Sequence, residues 1–71
     1  MPSISTRLGR RIYELRRASD YSQEELAERA GISVSYLSMI ERAERTPHIK
    51  TLEMLASALD ISIAEIFRGV G

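Results

Sequence analysis

SQEELAERAGISVSYLSMIERAERTP, from Ser22 to Pro47, is the stretch that decides the fold. Ser22 and Glu25 form an S-x-x-E capping box, in which each residue satisfies an orphan amide at a helix start. Leu26 and Ala30 follow at i, i+4 on one face, and Ala27 beside them is small enough to let another helix cross closely. Gly31 can take the left-handed conformation that ends a helix. Ile32 then plugs the corner, Ser33 offers a cap for the next helix, and Leu37 with Ile40 anchors that helix from one side. Two short helices around one tight turn result, which is a helix-turn-helix.

The outer side of the second helix carries the functional information. At roughly 100° per residue, Ser35, Ser38, Met39 and Arg42 fall in an arc of about 100° opposite Leu37 and Ile40, with Val34 at its start. Small hydroxyls, a thioether, a methyl-bearing residue and one guanidinium can enter a groove about 12 Å wide without blocking it. Duplex DNA is the partner this surface points to. Val34, Ser35, Ser38, Met39 and Arg42 are therefore the expected base-reading residues. Val34 and Met39 suit thymine methyl groups, which predicts some A·T content in the site.

From about Ile12 to Phe67 the chain resembles the Cro and phage-repressor type of helix-turn-helix, the XRE family. The resemblance is carried by LRRASDYSQEELAERAGISVSYLSMIERAERTPHIKTLEMLASALDISIAEIF, residues 15–67. It implies a lambda-repressor-like, all-α bundle of five helices in which helices two and three form the motif. It also implies a sequence-specific regulator of transcription, prokaryotic or phage, that docks as a homodimer on an inverted repeat. Arg16 and Glu41 each flank the apolar stripe of their helix, where they could meet between helices one and three, and the resemblance implies a structural ion pair there. It likewise gives Gln23, at the first position of helix two, the role of gripping a phosphate, where free amides and the helix dipole would favour an anion.

The remaining phosphate contacts are expected from residues on or after the recognition helix: Tyr36, whose ring could pack beside Leu37 while its hydroxyl reaches a phosphate, and Arg45, Thr46, His48 and Lys50. His48, the single histidine, has no cysteine or histidine partners for a metal and is expected to cap helix four or to contact phosphate. Neither metal nor cofactor nor small-molecule ligand is expected.

Around this centre the rest of the sequence completes the bundle. Helix one is expected over about Thr6 to Ala18, with Leu8, Ile12 and Leu15 as its buried stripe. Pro47 breaks the chain before helix four, expected from about Ile49 to Leu59 with Leu52, Leu55, Ala56 and Leu59 inward. Ser62 and Glu65 would open a short helix five with a second capping box. Where the family pattern often has glycine, Asp20, Ala43 and Asp60 stand instead, so either Ala43 is strained or helix three runs on.

Composition narrows the function classes. The 71 residues make one small core, and the absence of cysteine removes disulfides, thiolate metal sites and a thiol nucleophile, in keeping with a reducing cytoplasm. No apolar run approaches the roughly 20 residues of a membrane span, and the N-terminus lacks a signal-peptide core. An enzyme is not expected, because no glycine-rich phosphate loop and no nucleophile with a base beside it is present. The formal net charge is zero, but Arg7, Arg10, Arg11, Arg16 and Arg17 face only Glu14 and Asp20 in the first helix region. That distribution favours a local phosphate surface over a general polyanion binder.

Ile63, Ile66, Phe67 and Val70, spaced i, i+3, i+4, i+7, offer more apolar surface than a one-turn helix needs, and they are the candidates for a dimer interface. The ending Arg68-Gly69-Val70-Gly71 resembles the start of a linker, so residues 1–71 are expected to be one domain and could be the N-terminal part of a longer regulator. A second class stays open beside the DNA reader: a protein-interaction module, antitoxin-like, with DNA binding secondary. Glu24, Glu25, Glu28 and Glu44, close to where phosphates would pass, favour it.

Overall fold

The computed structural model describes residues 2–68 and 70, and its secondary structure is five helices: α1 (Ile4–Ala18), α2 (Gln23–Ala30), α3 (Val34–Glu41), α4 (Ile49–Ala58) and α5 (Ile63–Phe67). Among the described residues there is no strand, and no helix is long and apolar enough to cross a membrane. Of the ending Arg68-Gly69-Val70-Gly71 that resembles a linker, Gly69 and Gly71 lie outside the described residues, while Val70 is 2% exposed.

Four of the five helix starts carry a capping serine. Ser3, Ser22, Ser33 and Ser62 each accept the backbone N–H three residues on, the third residue of the helix they open. The box at α2 is complete, with Glu25 N–H on Ser22 Oγ at 3.0 Å and Ser22 N–H on Glu25 Oε1 at 2.9 Å. Ser3 explains why α1 starts two residues ahead of Thr6: the cap at Ser3 draws Ile4 and Ser5 into the first turn. At α5 the expected second box is only half formed. Ser62 Oγ accepts from Glu65 N–H, while the Glu65 carboxylate turns to Arg11 at 3.2 Å and Arg68 at 3.1 Å. His48 occupies the cap position of α4 without a side-chain hydrogen bond, so the capping role proposed for its ring is not realised.

The helix ends share one closure. After α1, α2, α3 and α4 a single residue adopts positive φ: Asp20 at 61°, Gly31 at 76°, Ala43 at 63° and Asp60 at 59°. In each case the next residue returns its N–H to a carbonyl five residues back: Tyr21 to Arg16, Ile32 to Ala27, Glu44 to Met39 and Ile61 to Ala56. These are Schellman closures. Ala43 is thus the strained residue, and α3 does not run on. In three closures the returning residue is Tyr21, Ile32 or Ile61, each partly buried against the core as the motif favours, whereas α3 has the exposed Glu44.

Inward faces from all five helices make one core. Ile12, Leu26, Leu37, Ile40, Leu55, Ile66 and Val70 are its largest fully buried side chains, while Leu15, near the open end of α1, is only partly buried. The recognition-type helix α3 is held by α1 and α2, and α5 closes the bundle against α1 and α4. Where α1 crosses the end of α3, Gly9 is buried, and a Cβ there would stand 2.4 Å from the Ile40 carbonyl oxygen. Only a residue without a side chain lets the helices meet so closely. Arg11 ties α5 down, donating from Nη2 to the Glu65 carbonyl at 2.8 Å and from Nε to the Ile66 carbonyl at 3.3 Å.

Candidate nucleic-acid interface

Burial of Leu37 and Ile40 on the inner side of α3 forces the opposite side outward. There Val34 is 39% exposed, Ser35 and Arg42 are exposed, and Ser38 and Met39 are half-buried. All five expected base-reading residues line one shallow hollow, together with Gln23 from the start of α2 and Glu44 from the turn after α3. Two separate elements therefore converge on one surface.

The flank of this surface is fixed by an ion pair. Arg16 donates from Nε to Glu41 Oε2 at 2.8 Å and from Nη2 to Oε1 at 3.1 Å, and its Nη1 reaches the Tyr21 carbonyl at 2.8 Å. The two side chains are 9% and 4% exposed, and Arg16 is the one buried charged residue among those described. The pairing expected of Arg16 and Glu41 is therefore present. Gln23 joins it, because its Nε2 donates to Glu41 Oε1 at 3.0 Å. One carboxylate thus links α1, the start of α2 and the end of α3.

At the front, Arg42 is not a loose side chain. It donates to Glu44 from Nε at 2.8 Å and from Nη2 at 3.2 Å, and its Nη1 is hydrogen-bonded to Ser38 Oγ one turn back. The Glu44 carboxyl lies below the ordinary glutamate range, first through the hydrogen bond from Arg42 and then through its charge, and the same contact raises the guanidinium.

The residues expected to contact phosphate lie along the flank and beyond it. The Arg45 guanidinium lies 5.8 Å from the centre of the half-buried Tyr36 ring, which joins two of the candidates. Thr46 Oγ1 is hydrogen-bonded at 2.6 Å to Ser5 Oγ, fastening the chain after α3 to the start of α1. His48 and Lys50 are exposed at the start of α4, and Lys50 lines a different hollow with Arg29 and Met54. Two arginines of the basic first helix serve the fold: Arg16 in the buried pair and Arg11 against α5.

The apolar C-terminal set divides. Ile66 is fully buried and Val70 is 2% exposed, so both belong to the chain's own core, which removes them from a surface available to a partner. Phe67, 40% exposed, and the half-buried Ile63 stay at the surface. Sequence reasoning gave no role to Gly9 and counted Glu44 only among the acids that favour an interaction module. A glycine inside a helical pattern was the available signal for the first. Nothing in the sequence marks the partner of an acid that lies beyond a helix end.

Comparison with known proteins agrees with this geometry. The helix-turn-helix family model HTH_3 matches residues 12–66. The HTH-type transcriptional regulator SinR of Bacillus subtilis is 47% identical over 57 residues, which are 79% of this chain and 51% of SinR. The chain thus spans about half the length of that relative. Among solved structures, the restriction-modification controller protein C.AhdI from Aeromonas hydrophila superimposes with a TM-score of 0.86 at 40% identity, covering 87% of this chain and 94% of that one. SinR, the master regulator for biofilm formation, in complex with DNA, gives 0.79 at 44% identity, covering 84% of this chain and 97% of that one. With its capped helices, its left-handed turn at Gly31 and its outward α3 face, the chain belongs to the helix-turn-helix family of Cro and phage-repressor type.

Proposed function

We propose that this chain binds double-stranded DNA in the major groove through α3 and serves, in the cytoplasm of a prokaryote or in a phage-infected cell, as the DNA-reading domain of a transcription regulator. The observation that carries the reading is the convergence of Gln23 with Val34, Ser35, Ser38, Met39 and Arg42 on one open face, beside which the buried Arg16–Glu41 pair locks α1 to the end of α3. A groove reader needs that combination of slender side chains on an open face and a rigid mount beside them. The likeness to SinR, solved with DNA, supports it.

In this reading Val34, Ser35, Ser38, Met39 and Arg42 face base edges, and Gln23, Tyr36, Arg45, Thr46, His48 and Lys50 hold the backbone on either side. Phosphate contacts set register and affinity, and base contacts set sequence. A second copy related by twofold symmetry would place two α3 helices on successive turns of the groove. Phe67 and Ile63 are the part of the C-terminal apolar set available for that contact.

Selection of bound duplexes from a random pool, at about 150 mM salt so that exposed charges are screened as in a cell, tests the proposal. Enrichment of an inverted repeat is the expected result. Arg45→Ala should then weaken binding to all duplexes alike and reduce the salt slope by about one. A folded protein that enriches nothing would instead favour an interaction module that no longer reads DNA.

A further inference from the structure

Glu44 sits at an unusual place. The Schellman closure that ends α3 has the same hydrogen bonds as the other three, and the Glu44 N–H to the Met39 carbonyl, at 2.8 Å, is the shortest of the four returning contacts. The other closures place an apolar side chain there, packed on the core. Here a carboxylate stands on a backbone position held as firmly as theirs, its side chain 55% exposed, at the edge of the base-reading hollow.

Its contact with Arg42 accounts for specific donors. A guanidinium carries five N–H groups in a planar fork arrangement. Glu44 takes the Nε–H and one hydrogen of Nη2, and Ser38 Oγ, one turn back, is engaged by Nη1. One N–H remains on each terminal nitrogen. Two such donors side by side match the O6 and N7 acceptors of guanine in the major groove, the pairing in which arginine reads a base most specifically. An arginine without these partners would have to be ordered on binding, and its long side chain would lose rotamer freedom at that moment.

We propose that Glu44 is a positioning residue for sequence reading: with Ser38 it holds the Arg42 guanidinium so that its two remaining terminal N–H groups take one guanine of the site. An acid that in the sequence favours an interaction module becomes the mount of the base-reading cation. The inference rests on α3 being the groove helix, as proposed above. It differs from simple repulsion in its consequence, because repulsion acts on all sequences equally while a mount acts at one base pair.

The test uses the duplex selected by the unaltered protein and asks which G·C pair loses its preference in Arg42→Ala. Affinities for that duplex and for the same duplex with the pair changed to A·T are then measured for the unaltered protein, Glu44→Gln and Glu44→Ala, with melting curves to confirm folding. The unaltered protein should discriminate by roughly 5- to 150-fold at that pair, the range of one bidentate contact. Glu44→Gln should lose part of that ratio and Glu44→Ala most of it, with binding to the A·T duplex not weakened. Equal tightening on both duplexes would overturn the proposal in favour of repulsion. An unchanged ratio in both variants would also overturn it, as would an Arg42→Ala protein that keeps every base preference. Absence of any selected motif with the folded, unaltered protein would overturn the functional reading on which it rests.

Discussion

Two arginine–glutamate pairs meet at the end of α3 with nearly the same geometry and opposite surroundings. Arg16 grips Glu41 through Nε and Nη2 at 2.8 and 3.1 Å, and Arg42 grips Glu44 through the same atoms at 2.8 and 3.2 Å. Side-chain exposure separates them, at 9% and 4% for the first pair and 57% and 55% for the second. Fork geometry alone therefore says nothing of what a pair does. Buried, the carboxylate is a fixed joint between helices, and removal of its partner strands a charge. Exposed, the same contact adds little stability and leaves its unused hydrogen-bonding groups open to a ligand.

Arg16→Ala should cost on the order of 3–5 kcal/mol by leaving Glu41 buried beside Gln23 alone. At roughly 4–8 °C per kcal/mol for a domain of this size, its melting temperature should fall by more than about 10 °C. Glu44→Gln should stay within about 1 kcal/mol of the unaltered protein. Similar losses in the two variants, read by circular dichroism, would refute the contrast.

Gly9→Ala probes the mount from behind. The added carbon meets the Ile40 carbonyl rather than a yielding side chain, so α1 must shift from the end of α3, at a cost of about 1–3 kcal/mol as for other overpacked sites. Unchanged melting would mean that the crossing is looser than described. The smallest effect belongs to Ala43, between the two pairs. With φ at 63° it stores strain that Ala43→Gly should relieve, raising stability by up to about 1 kcal/mol. A lower melting temperature would show that residue 43 favours the helical region and that the turn carrying Glu44 is not the one described.

Local rules make much of the architecture legible in the sequence. Ser22 with Glu25, Gly31 and Ser33 act on neighbours three to five residues away, and those contacts form as the spacing demands. The α3 face was legible for the same reason, since Leu37 and Ile40 fix its rotation once they are buried. Arg16 and Glu41 needed the family resemblance, because nothing local joins residues 25 apart. The failures share one cause. Ile66 and Val70 at helical spacing say that a side is apolar but not whether the same chain or a second one covers it. Arg11 contributes to a basic helix in the sequence and is spent on backbone carbonyls of α5 in the fold. Glu65 could have completed a cap and instead faces two arginines.

Gln23 has a thermodynamic consequence through its hydrogen bond to Glu41. A surface glutamine normally samples many rotamers, and freezing such a side chain at an interface costs about 0.5–1.5 kcal/mol. Here the carboxylate shared with Arg16 selects the orientation of the amide during folding, when the core forms. In the proposed complex that ordering term is absent from the association step, so the amide meets a phosphate without the entropic cost that a free surface glutamine would bring.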